Sequence, residues 1–382
     1  MNATGSQASA LLGVAGLGLV LALGPLLWFW RGRGRAEPAV RLRALALLTL
    51  FLTFDLVLLG AFTRLSDSGL GCPDWPGCYG HASPLGASEH IATAEAAMPT
   101  GPVTHGKAWV EMAHRYSASA IGVLVIVLTA LAVVEWRRRR VPNPPTWAVA
   151  TLLWILAQGA FGAFTVTLKL YPAVVTLHLL GGLALLALLA IQAEAYAPRP
   201  MAISPSLRRS LLLVAALAVA QIVLGGWVST NYAVLACSDF PTCQGSWWPE
   251  ARFAEAFQPF RPLGGDGEGG YLPFAALTAI HLAHRIGAAL LLPALLLLAW
   301  RLLEAREAAL RPWAVGLLGV AAWQTASGLG NVLLGWPLVA AVAHTGGAAA
   351  LVVVLTVLIV RTRPQPARAR ESWPAARRPA AS

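Results

Sequence analysis

The sequence predicts an all-α polytopic membrane protein, built as two pseudo-twofold-related four-helix transmembrane bundles plus one extra N-terminal transmembrane helix. Three observations carry that prediction. Of 382 residues, 57% are hydrophobic and only 12% charged, a balance foreign to an ordinary soluble enzyme. Nine apolar stretches are long enough to cross a bilayer, which takes about 20 residues each. Motifs also recur at a nearly constant offset. Cys72 and Cys78 return 165 residues on as Cys237 and Cys243, His114 returns 170 on as His284, and His178 returns 166 on as His344. Duplication of one unit accounts for such echoes.

The spans lie near 10–30, 43–65, 108–136, 146–168, 174–196, 207–229, 278–302, 312–334 and 337–361. They lack the alternation of barrel strands, and a lone strand cannot satisfy its backbone in lipid, so each reads as a helix. The first span is followed, not preceded, by arginines, so residues 1–42 read as a retained anchor and basic linker and not as a cleaved signal peptide. The duplicated unit occupies 43–196 and again 210–361, with a linker at 197–209. An even number of spans gives both copies one orientation and sets the pseudo-twofold axis along the membrane normal. Residues 362–382, rich in Pro, Ala and Arg, read as a disordered basic tail.

The formal net charge of +11 might suggest nucleic acid, but its placement excludes that reading. Arg31, Arg33, Arg35, Arg41 and Arg43, the arginines at 137–140, then Arg199, Arg208 and Arg209, then Arg301, Arg306 and Arg311, and finally the tail all fall on alternate connections. By the positive-inside rule these connections are cytoplasmic. The N-terminus and the long 66–107 and 230–277 segments are then outside the cytoplasmic membrane and the C-terminus inside. All four cysteines occupy a compartment where a disulfide persists.

His114, His178, His284 and His344 each begin a span that runs inward. Each lies about 4 to 7 residues past the outer boundary of its apolar run, roughly 6–11 Å deep. An intramembrane histidine is expensive and calls for a partner or a ligand. A hydrogen bond between helices is the competing reading for any one of them. Four at matching depth, two per repeat, favour haem, whose iron is gripped through both axial positions by facing histidines of a four-helix bundle. Zinc would want three or four converging ligands. Gly181 and Gly182, and Gly346 and Gly347, either clear space for a flat macrocycle or let helices approach closely.

Arg115 and Arg285 follow the candidate ligands, and either pair with haem propionates, snorkel to the interface or form a salt bridge to a loop carboxylate. His281 stands one helical turn before His284, as Glu111 does before His114, and reads as a group supporting the ligand, with a spare ligand or a satisfied core residue as the alternatives. His81, His90 and His105 are outer-loop residues with no assigned role. The spacings Cys72–Cys78 and Cys237–Cys243 allow two local disulfides, either staples or redox relays.

Together, the run from Gly60 through Arg64 to Cys72-Pro73-Asp74-Trp75-Pro76, Glu111-Met112-Ala113-His114-Arg115, His284-Arg285 and the late His344 resemble the heme A synthase family over about 43–361. The resemblance implies two four-helix bundles, a haem b cofactor in the C-terminal half and the substrate haem O in the N-terminal half. It implies oxidation of the haem O C8 methyl to the formyl of haem A, with water as the oxygen source, for terminal oxidase assembly in the bacterial inner membrane. By motif, His114 and His178 would flank the substrate, His284 and His344 would hold haem b, and Glu111 would be the catalytic carboxylate. Arg64 joins Arg115 and Arg285 as a candidate propionate partner. The partners implied are the lipid bilayer, a haem O synthase and the oxidase assembly machinery. Two other readings fit bis-histidine sites: a quinol-oxidising di-haem b electron carrier, and a non-enzymatic haem carrier.

Overall fold

Every apolar stretch folds into a helix, which satisfies its own backbone where no water is at hand. The computed structural model describes residues 3–266, 269–305 and 307–364. In chain order its helices are α1 (Ala3–Arg33), α2 (Pro38–Leu65), α3 (Ser88–Ala97), α4 (His105–Arg137), α5 (Thr146–Thr167), α6 (Pro172–Tyr196), α7 (Pro205–Thr230), α8 (Phe253–Ala256), α9 (Phe274–Glu304), α10 (Arg311–Leu333) and α11 (Leu338–Arg361). Eight of the nine long ones are apolar enough to cross a membrane. The ninth, α10, has the length at 23 residues but carries Gln324, Ser327 and Asn331.

Helices α2, α4, α5 and α6 close one ring, and α7, α9, α10 and α11 close another. Helix α1 lies along α4 and reaches α2. Each ring is filled at its arginine-rich end by leucines: Leu42, Leu45, Leu124, Leu128 and Leu189 in the first, Leu211, Leu298, Leu302, Leu317 and Leu358 in the second. The histidines lie above these cores, and the cysteine loops lie above the histidines.

The rings meet where α6 packs on α11, α2 on α11 and α6 on α7. At the loop end Arg64 donates to the Ser229 carbonyl at 2.6 Å, and the Tyr232 hydroxyl donates to Asp67 at 2.6 Å. At the arginine end Arg361 grips Glu194 through two bonds of 2.6 and 2.7 Å. These pairs join positions 165 or 167 residues apart, close to the repeat offset.

Several boundaries differ from the sequence reading. Helix α4 starts at His105, ahead of its apolar run, because the Thr104 side chain accepts from the Lys107 amide, capping an otherwise orphaned turn. Helix α7 starts at Pro205, two residues ahead of its apolar run at 207, with Ser204 as its cap. The linker holds a strand, β1 (Met201–Ile203), paired in parallel with β2 (Thr362–Pro364). Residues 362–364 are therefore ordered, with Arg208 donating to the Thr362 carbonyl and hydroxyl at 2.7 Å each. Residues 365–382 and Arg306 lie outside the described residues.

Candidate functional site

The repeat places its histidines at matched heights. His114 and His284 fall nine and ten residues after the first residue of α4 and α9, and His178 and His344 each fall six after that of α6 and α11. All four side chains are half-buried. Helices α4 and α9 begin earlier than their apolar runs, so their histidines sit farther along the helix than the sequence reading placed them.

Each imidazole rests its Cε1 edge on a glycine of an adjoining helix. A methyl group at Gly60 would stand 3.0 Å from His114 Cε1, at Gly162 3.4 Å from His178, at Gly225 2.9 Å from His284 and at Gly328 3.3 Å from His344. Nothing in the histidine motifs points to these four seats, because they lie on other helices; their regular spacing within the repeat was the available signal. The glycines that follow the ligands do something else. Gly181 receives Gln158 and Gly347 receives Trp323 and Gln324, while Gly182 and Gly346 face Val57 and Leu58. They serve helix packing.

The rings of His284 and His344 stand 6.5 Å apart between centroids and nearly perpendicular, at 84°. Two imidazoles that bond one metal at about 2 Å would have centres roughly 6 Å apart. The donor set fits a porphyrin iron, which needs only two axial ligands from the protein. In the first ring His114 lies within electrostatic reach of His178, and the Nδ1 atoms of both are buried without a partner.

The sequence Cys-x-Asp-aromatic-Pro-x-Cys folds the same way twice. Cys72 is bonded to Cys78 and Cys237 to Cys243, with Cα separations of 4.9 and 4.7 Å. Each loop contains a cis proline, Pro76 or Pro241. Asp74 accepts from the amides of Tyr79 and Gly80, and Asp239 from those of Gln244 and Gly245. Those acceptors fix backbone that turns through positive φ at Tyr79 and Gln244, a conformation uncommon for residues with side chains. The Asp239 carboxyl is held down at about 2, first by the Thr242 hydroxyl and then by the Gly245 amide.

The arginines after the ligands turn to these loops. Arg115 donates to the carbonyls of Asp74 (2.9 Å) and Gly77 (2.5 Å), and Arg285 to those of Thr242 (2.8 Å) and Cys237 (3.1 Å). Arg64 is engaged as well, over the Tyr232 ring at 4.0 Å and on Ser229. The loops and the seam between the rings hold their guanidinium groups. Glu111 ties the first loop to the ligand helix, one oxygen accepting from the Cys72 amide at 2.7 Å and the other from Arg115 at 2.5 Å. Its counterpart His281 is buried against the backbone of Ala233 and Val234. His105, the first residue of α4, pairs with Glu95 at 2.8 Å, and Tyr79 stacks on His90.

Residues 43–356 match the family described as cytochrome oxidase assembly protein. A heme A synthase of Shewanella oneidensis is 40% identical over 316 residues, covering 81% of this chain and 93% of that protein. Those of Caulobacter vibrioides and Symbiobacterium thermophilum are 28% and 30% identical, covering 82% and 75% of this chain and 93% and 84% of theirs.

Proposed function

This chain belongs to the cytochrome oxidase assembly protein family, among the heme A synthases, and on that premise we propose that it oxidises the C8 methyl of haem O to the formyl of haem A. The observation that carries the reading is an asymmetry between otherwise equivalent sites. Two imidazole pairs recur with their glycine seats and disulfide loops, yet among the described residues a buried carboxylate stands beside one pair only. Glu111 has His281 as its counterpart. Two equivalent electron carriers would need no such difference, and a haem carrier would need no permanently held second haem.

In this reading His114 and His178 bind and orient haem O in the first ring, and His284 and His344 hold haem b in the second. Haem b, when bound, supplies electron transfer. Taking a methyl to a formyl removes protons as well as electrons, and Glu111 accepts a proton one helical turn from His114. Arg115 and the Cys72 amide hold its carboxylate in place. The leucine core below and the disulfide loop above keep water to what the reaction needs. Arg115 and Arg285 fasten the loops.

The two units, each a four-helix bundle, are related by a pseudo-twofold axis along the membrane normal, a relation supported by the contacts between counterpart positions at both ends. The cysteine loops face outward and the arginine-rich end faces the cytoplasm of a bacterial inner membrane. A haem O synthase supplies the substrate, and terminal oxidase assembly consumes the product.

Haem extraction from the purified protein tests the reaction. Mass analysis should find haem O, a hydroxylated intermediate or haem A beside haem b, and haem b alone would overturn the reading. Replacing His284 or His344 by Ala should abolish the low-spin haem b spectrum or leave it five-coordinate. An unchanged spectrum in both variants would overturn the assignment of the two halves.

A further inference from the structure

The glycine seats put the two rings in register residue by residue, and the side chains beside them differ. Gln221 lies four residues before the seat Gly225, where the first ring has Leu56 before Gly60. Ser327 immediately precedes the seat Gly328, where the first ring has Phe161 before Gly162. The consequence falls on the back of each imidazole. His344 Nδ1 meets the Ser327 hydroxyl at 2.9 Å, and His284 Nδ1 meets the Gln221 amide at 3.0 Å. The Nδ1 atoms of His114 and His178 are buried with no partner, as apolar Leu56 and Phe161 would leave them.

The Ser327 hydroxyl donates to the Trp323 carbonyl at 2.7 Å, which leaves its oxygen to accept from His344 Nδ1–H when Nε2 carries a metal. Gln221 also donates to the His284 carbonyl at 3.0 Å, while its Oε1 is buried without a partner. The same amide nitrogen lies 3.5 Å from His284 Nε2, so Gln221 holds the Cε1 edge of the ring and the backbone carbonyl together. Groups that bond the rear nitrogen of a ligating histidine fix its orientation and raise its basicity.

We propose that Ser327 and Gln221 are positioning residues that make the second ring's haem site retentive, and that Phe161 and Leu56 leave the first ring's site exchangeable. This rests on the assignment of haem b to the second ring. An enzyme whose substrate and cofactor are both haems faces a sorting problem, because the same iron and the same two imidazoles occur at each site. Support on the rear nitrogen separates them without any change of ligand. The ring that keeps its haem is braced, and the ring that must pass its haem on is not.

The full-length protein in detergent provides the test. Haem b loss is followed by transfer to excess apomyoglobin, and the haem b midpoint potential is measured alongside. Ser327→Ala combined with Gln221→Leu should speed haem b loss by about 10-fold to 100-fold, the usual effect of removing such support, and should raise the potential because His344 becomes less basic. Ser327→Thr, which keeps the acceptor, should restore the slow loss in the Ser327 series. The converse pair, Leu56→Gln with Phe161→Ser, should slow release of the first ring's haem and cause haem A to accumulate on the protein. An unchanged loss rate and potential in the first double variant would overturn the proposal, and so would unchanged release in the converse pair. Neither outcome touches the assignment of the halves, which stands or falls with the His284→Ala and His344→Ala spectra.

Discussion

Single residues at this site act through what they touch, and Glu111 touches both the loop and the ligand helix. Glu111→Gln keeps shape and one acceptor oxygen but removes the base and the charge opposite Arg115. The variant should still bind haem O and should accumulate unconverted or singly oxidised haem, read by mass analysis of extracted haem. Near-normal haem A would leave Glu111 only the task of holding Cys72. The glycine seats give a second residue-level prediction. Since a methyl group at Gly225 would stand 2.9 Å from His284, Gly225→Ala forces the imidazole to shift, at a cost of about 1–3 kcal/mol. The haem b electron paramagnetic resonance should change, whereas Gly316→Ala, where a methyl group meets nothing within 4 Å, should leave it as it is. The histidines and Glu111 were legible because a polar residue in an apolar run announces itself. The seats were not, because a glycine is informative only once its neighbour across the helix interface is known. The directions of Arg115 and Arg285 were likewise hidden, since the carbonyls they bond belong to a loop whose path no periodicity describes.

At the scale of elements, the two disulfide loops share a fold and differ in what lies beneath them. The first is bonded to Glu111 through the Cys72 amide, whereas His281 lies against Ala233 and Val234. Cys72→Ser with Cys78→Ser should therefore depress haem A formation more than Cys237→Ser with Cys243→Ser, measured as product haem per unit of folded protein. Equal losses would assign both loops a purely structural role. The second loop also carries a pH signature. Its Asp239 titrates near 2 when folded, against about 3.9 in an unfolded chain. The stabilisation is thus complete above about pH 4 and is lost as pH falls toward 2. Proteolysis of the 237–246 segment should accelerate over that window, and Asp239→Asn should remove the acid dependence. The spans themselves were legible to within a few residues because length and hydropathy decide them. Their starts were less so, because caps such as Thr104 and Ser204 extend a helix beyond its apolar run. The short β1–β2 pair was missed altogether, being three residues from each of two distant segments.

For the whole molecule, the decisive contacts are those that lock one ring to the other. Glu194 is buried, and Arg361 is its bidentate partner. Arg361→Ala leaves the buried carboxylate with only Arg43 at 4.0 Å, for which the expected loss is up to about 3–5 kcal/mol, seen as a lowered unfolding midpoint. Replacing both residues with Leu and Met should recover most of it. If the single variant is as stable as the parent, the β1–β2 pair and the α6–α11 packing hold the rings unaided. Duplication was legible from motif offsets, but the faces through which the copies meet were not, since both faces of a span in lipid are apolar. Those faces have a further consequence. Arg64 meets Ser229 and Asp67 meets Tyr232, each pair standing one repeat length apart. Two identical units docked through the same surface would set arginine against arginine and aspartate against aspartate. One continuous chain escapes that repulsion, because each side of the seam is encoded separately. Covalent fusion thus frees the halves from having to be alike, and a pair of histidine sites that began with one design can acquire opposite duties.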